Sequence, residues 1–202
     1  MAITNDGFFF HELAALSGAC AEGAKQLLRG ARGDHPASAC GEQIAALHAD
    51  ARQRDRKLRE ALVETWLLPI DRDDLRELSA GLVRIVEAEE AIADALVSTK
   101  RDPTLVEVVD LLARGCAAVD RSTRLVAELR KNRDALEAAR ADELQTVEAA
   151  RRTLAGATGR ALDPDALLDA VALRNLLERS RRAIDALHRH ALLIESLLLE
   201  YA

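Results

Sequence analysis

Aromatic side chains are nearly missing from this sequence: one Trp, one Tyr and three Phe make up 2% of 202 residues. Proteins grip single-stranded nucleic acid by stacking bases on aromatics, and duplexes through a basic face. The formal net charge is -6, and the single Trp, Trp66, and single Tyr, Tyr201, offer no stacking platform, so nucleic acid is not an expected partner. Cysteine is scarce as well. Cys20, Cys40 and Cys116 are odd in number and unpaired in spacing, the pattern of reduced thiols in the cytoplasm. Cys116 falls in line with Val109, Leu112 and Val119, which reads as a small core position. Long apolar runs are missing too. Nothing approaches the ~20 residues of a membrane span, and the run Ala191 to Leu199 is interrupted by Glu195. Met1 to Gly7 carries no basic stretch and Phe8-Phe9-Phe10 is too short for a secretory leader. The sequence holds no phosphate-cradling glycine loop, no nucleophile elbow and no Cys or His pair at zinc spacing. The expectation is a cytoplasmic protein that is not an enzyme.

What the sequence does have is 49% hydrophobic and 31% charged residues, the balance of a globular domain. With so few rings, its core must be built from Ala, Leu, Val and Ile. Ala and Leu are strong helix formers, and apolar periodicity marks six helices. The first spans about Phe8 to Arg32 and stops at Gly33-Asp34-His35-Pro36. The second carries the stripe Ile44, Leu47, Ala51, Leu58, Leu62 and Trp66, and Pro69 ends it. Asp71 is the expected N-cap of the third, with Asp73 and Asp74 at the positive end of its dipole. Its stripe is Leu75, Leu78, Leu82, Ile85, Ile92 and Leu96, broken by Arg101-Asp102-Pro103. The fourth opens on a Thr104–Glu107 capping box and runs through Val109, Leu112, Val119, Val126 and Leu129. The fifth follows Leu136, Leu144, Val147 and Leu154 and closes at Gly156 to Gly159. The sixth runs from about Asp165 through Leu168, Val171, Leu177, Ile184, Leu187, Ile194 and Leu198. No segment alternates with period two, so no sheet is expected.

Leu68-Pro69-Ile70-Asp71 joins helices two and three, and Leu162-Asp163-Pro164-Asp165 joins five and six. Matching joints in matching order predict an elongated all-α six-helix bundle. It forms a single domain over 1–202, made of two tandem three-helix repeats, about 7–99 and about 103–202.

The segment Ile44 to Ile92 resembles the PhoU-like proteins through Leu47, Ala51, Leu62, Trp66, the turn Pro69-Ile70-Asp71-Arg72-Asp73-Asp74-Leu75, Leu78 and Leu82. Within them it is most similar to the phosphate-transport accessory proteins found beside Pit-type phosphate permeases. There a long helix ends in an aromatic residue and a Thr-Pro-x-Asp-Arg-Glu-Asp-like turn opens the next. Here that turn reads Leu68-Pro69-Ile70-Asp71-Arg72-Asp73-Asp74. The resemblance implies two three-helix bundles related by an internal repeat. It also implies a regulatory role in phosphate homeostasis, through contact with a permease or with phosphate-sensing machinery such as a sensor kinase. Any membrane contact at the inner face would then come through that partner. Many members hold clusters of iron or other metals with Glu-x-x-x-Asp pairs, since residues i and i+4 share a helix face. In this chain those positions fall at His48 and Arg52, at Val83, Arg84 and Glu87, at Arg140 and Leu144, and at Arg181 and Asp185. His48, Glu87 and Asp185 are the surviving candidate ligands, and the arginines would repel a cation, so the metal-binding motif is degenerate.

Two rival readings remain: a bundle that binds or stores iron, zinc or manganese, and a structural helical module that self-associates or binds other helices. Glu90 and Asp94 form the one Glu-x-x-x-Asp of the chain and read as a solvated face. Glu89 lies on the Ile85–Ile92 line and reads as a polar break in the core, paired with an arginine. Asp55 lies between Ala51 and Leu58, where nearby arginines can satisfy it. His188 and His190 read as core or pH-responsive histidines rather than ligands.

Overall fold

The computed structural model describes residues 6–68, 70–99, 102–160 and 167–201. Six helices follow one another: α1 (Asp6–Arg32), α2 (Ala37–Glu64), α3 (Arg72–Leu96), α4 (Pro103–Val126), α5 (Arg133–Arg160) and α6 (Leu167–Tyr201). The described residues contain no strand. α1 packs on α2, α3 and α4; α4 packs on α1, α5 and α6; α3 and α6 pack on each other; and α2–α3 and α5–α6 complete the set. Exchanging α1, α2 and α3 for α4, α5 and α6 leaves this set of contacts unchanged. The four inner helices α1, α3, α4 and α6 form the centre, with α2 and α5 as outer flanks. α2 shows why it lies outside: only Cys40, Ile44, Ala51, Leu58 and Leu62 are buried on it, a narrow stripe on an otherwise charged helix.

Helix ends are set by local chemistry. α1 stops at Gly33, whose φ of 77° suits glycine alone. The Asp34 amide donates to Arg29 O at 2.9 Å and the Gly33 amide to Gly30 O at 3.1 Å, closing a Schellman motif. Asp71 caps α3 as expected, its carboxylate accepting from the Asp73 amide at 2.8 Å.

Other ends differ from the sequence reading. The cap of α4 is Asp102, not Thr104: its carboxylate accepts from the Thr104 amide at 2.7 Å and the Leu105 amide at 3.3 Å. Pro103 opens the helix, where its missing N–H costs nothing. Glu107, free of a capping role, accepts from the Thr153 hydroxyl of α5 at 3.2 Å. α2 ends at Glu64, because Thr65 turns extended and Trp66 leaves the stripe, 96% exposed. α4 ends at Val126, and Leu129 is buried in the turn beyond. α5 runs through Gly156 to Arg160 rather than closing at the glycines. Its buried line is Leu136, Ala139, Glu143, Val147, Ala150 and Leu154, with Leu144 displaced to a half-buried position. On α6, Val171 is 60% exposed, outside the core assigned to it. The second joint, Leu162 to Asp165, and the side chain of Leu168 lie outside the described residues.

Small residues bring the inner helices together. A Cβ on Gly115 of α4 would sit 2.7 Å from Leu187 Cδ1 of α6, so a larger residue there would have to displace that leucine. Polar ties fix the register. The Ser17 hydroxyl donates to Asp120 at 2.8 Å between α1 and α4, and Arg54 of α2 reaches Glu12 of α1 at 3.2 Å. Asp55 is satisfied by Arg59 at 2.8 Å and by the Ser79 hydroxyl at 2.7 Å. Asp102→Ala should lower the unfolding free energy by about 1 kcal/mol, the usual worth of an N-cap, while Thr104→Ala should cost less. Urea denaturation of the two variants checks the assignment.

Candidate docking pole and a buried polar centre

One end of the bundle gathers the α2–α3 joint, the α4–α5 turn, the start of α1 and the end of α6. Tyr201 ties them together. Its hydroxyl accepts from the Asp71 amide at 3.1 Å and donates to Asp74 Oδ2 at 3.0 Å, while Arg130 Nε donates to its carbonyl at 3.4 Å. Burial, reinforced by the Asp74 carboxylate, pushes the phenol up to about 12, so it keeps its proton and its donor role. Arg72 closes the joint from the other side, donating to Thr65 O at 2.9 Å. Asp71 thus does two jobs at once: its side chain caps α3 and its backbone is held by α6.

Beside these ties the α2–α3 joint presents apolar surface to solvent. Val63, Trp66 and Leu67 are 76%, 96% and 65% exposed. A groove of 480 Å³ runs between Trp66, Leu68, Ile70, Arg72 and Tyr201. Beyond Tyr201 a second groove, of 510 Å³, is lined by Phe10, Ile70, Val126, Leu129 and Arg130. A third, of 600 Å³, lies between the start of α5 and the end of α6 and includes Ala138, Arg140, Glu195 and Leu199. Exposed large apolar residues set beside grooves are the usual anatomy of an interaction surface.

The interior holds a different constellation. His190 Nδ1 lies 3.0 Å from Glu143 Oε1, and His190 Nε2 lies 3.1 Å from Thr123 Oγ1. The imidazole thus bridges the Glu143 carboxyl and the Thr123 hydroxyl, one through each ring nitrogen. The atom order matches a nucleophile–base–acid relay. Yet all three residues are sealed inside, Glu143 fully, so the set serves to pin α4, α5 and α6 together. Glu89 is equally deep at 2% exposure. Its expected arginine is not there: Oε1 accepts from Cys116 Sγ at 3.2 Å, and Oε2 has no partner among the described residues. Arg179 of α6 reaches the α3 backbone but donates to the Ala91 carbonyl instead. Cys116 is a core residue as expected, and all three cysteines are free and buried.

The three candidate ligands are not brought together. His48 Nδ1 lies 2.5 Å from Glu90 Oε2, which makes Glu90 a half-buried partner rather than a solvated acid. Glu87 is exposed on α3, and Asp185 accepts from Arg151 at 3.2 Å, with His188 on the same guanidinium. Arg140 binds Glu195 at 2.6 Å. Among the described residues no three His, Cys, Asp or Glu side chains are placed to share a metal ion, and none of the helices there is long and apolar enough to cross a membrane.

No protein-family model matches this chain, and no curated protein matches it in sequence. The site must therefore be judged on its own geometry. Glu143 could have been found in the sequence: it continues the i, i+4 line from Ala139 to Val147 that Leu144 was chosen over. Tyr201 had no such signal, because the partners of its hydroxyl lie more than a hundred residues away in the chain.

Glu143→Ala should lower stability by about 3 kcal/mol, because it strands a buried imidazole and leaves a void. The double variant Glu143→Met with His190→Leu should recover most of that loss. Chemical denaturation of both against the parent tests this.

Proposed function

We propose that this protein is a non-catalytic, PhoU-like accessory protein of inorganic phosphate transport, acting by docking its Trp66 pole on the cytoplasmic side of a Pit-type phosphate permease. The observation that carries the reading is the joint itself. Trp66, one of the residues on which the resemblance rests, is 96% exposed at the pole, and Asp71 and Asp74 of the turn that carries the resemblance bond Tyr201 beside it. Asp71 is tied to α3 by its cap and to α6 by Tyr201. Trp is the side chain that most often dominates an interface. The exchange-symmetric packing of the six helices supports the same reading, since the PhoU-like family implies an internal repeat.

The test pairs binding with transport. Tagged full-length chain should co-purify with the permease, and deletion should change phosphate uptake. Trp66→Ala, whose side chain contacts little within the bundle, should keep full helicity yet bind about thirtyfold more weakly, the effect of losing roughly 2 kcal/mol at an interface hot spot. Unchanged uptake on deletion, or undiminished capture of the permease by Trp66→Ala, would overturn the proposal.

A further inference from the structure

Two buried polar atoms lack a partner among the described residues, Arg140 Nε and Glu89 Oε2. The first belongs to a guanidinium already bound to Glu195. The second belongs to a carboxyl that forms no ion pair among the described residues. Its surroundings come from every side of the bundle. On α1, Gly23 lies so close that a Cβ there would be 2.1 Å from Oε2, and the Cys20 thiol donates to Leu82 O at 3.4 Å. On α4, the Cys116 thiol donates to Oε1. On α5, Glu143 adds a second carboxyl to the same interior, committed to His190 of α6. On α6, Arg179 is held by a backbone carbonyl; on α2, His48 is held by Glu90.

Among the described residues, a negative charge at Glu89 would have no basic side chain to pair with and only the Cys116 thiol as hydrogen-bond partner. Burying an unpaired charge is among the costliest states in a protein. The same geometry leaves little slack: the carboxyl rests directly on the α1 backbone at Gly23.

We infer that Glu89 is a proton-operated plug: as the neutral acid it seals the α1–α3 and α1–α4 contacts around Cys20 and Cys116, and on losing its proton it opens them to water. Opening is the cheapest escape for an ionised Glu89, because local separation of helices admits solvent without unfolding the whole chain. Burial holds the carboxyl well above its ordinary range, and likewise raises both thiols. The sign follows. Below the ordinary carboxyl value Glu89 is neutral in the folded and unfolded chain alike, and its seal is fully in place. As pH rises from there, the unfolded chain ionises first and stability declines until the folded carboxyl ionises too. The device is independent of the docking pole.

The experiment reads thiol access. Full-length chain carrying Cys40→Ser, so that Cys20 and Cys116 are the only thiols, is alkylated with iodoacetamide from about pH 6 to about pH 9. Each rate is divided by that of the urea-unfolded chain at the same pH, which cancels the reactivity of the thiol itself. While Glu89 is mostly protonated, its ionised fraction grows tenfold per pH unit, so the normalised rate should climb about tenfold per unit. In Glu89→Gln it should stay flat. Glu89→Met, checked for helicity alongside it, serves where the amide variant does not fold. Equal pH slopes with and without the carboxyl, or a flat profile in the parent, overturn the inference.

Discussion

The contact between α1 and α4 is the interaction on which the rest depends. It unites the group α1–α2–α3 with the group α4–α5–α6, and only α3–α6 helps it do so. A core with almost no rings cannot fill wide gaps between helices. It must bring backbones close instead, and small residues allow that. Gly23 admits Glu89 of α3 to the surface of α1, and Gly115 admits Leu187 of α6 to α4. Ser17 and Asp120 then fix how α1 slides along α4. Once those two helices are set, α3 and α6 have one place to lie, and the flanking α2 and α5 follow.

Both groups repeat one polar device in opposite order. His48 of α2 meets Glu90 of α3, and Glu143 of α5 meets His190 of α6. The first pair sits near the surface and the second is sealed. The difference tracks burial rather than chemistry. Where α5 and α6 close over the pair, Thr123 supplies the remaining hydrogen bond that water can offer His48.

The fold was legible in the sequence because helical periodicity is a local property. Six helices, their order and the Asp71 cap came from runs of Ala, Leu and Val with polar breaks. Misreadings arose where two local signals competed. Asp102 and Thr104 both suit an N-cap, and Pro103 between them settles the matter by occupying the first helical position. Trp66 sat on an apolar line, yet the turn before Pro69 carries it out of the helix. The candidate site was far less legible. Nothing near Tyr201 hints that its hydroxyl serves Asp71 and Asp74, and nothing near Glu89 hints that its neighbour is a thiol rather than an arginine. Such partners are chosen by tertiary packing, which the periodicity of one segment does not encode.

The lone indole has a practical consequence. With Trp66 almost wholly in solvent, the intrinsic fluorescence of this chain already emits from a water-like environment in the native state. Its emission is therefore nearly blind to the melting of the core. It reports instead on whatever covers the tip of the bundle, so the molecule carries its own optical label at the place where contact with another surface would be seen.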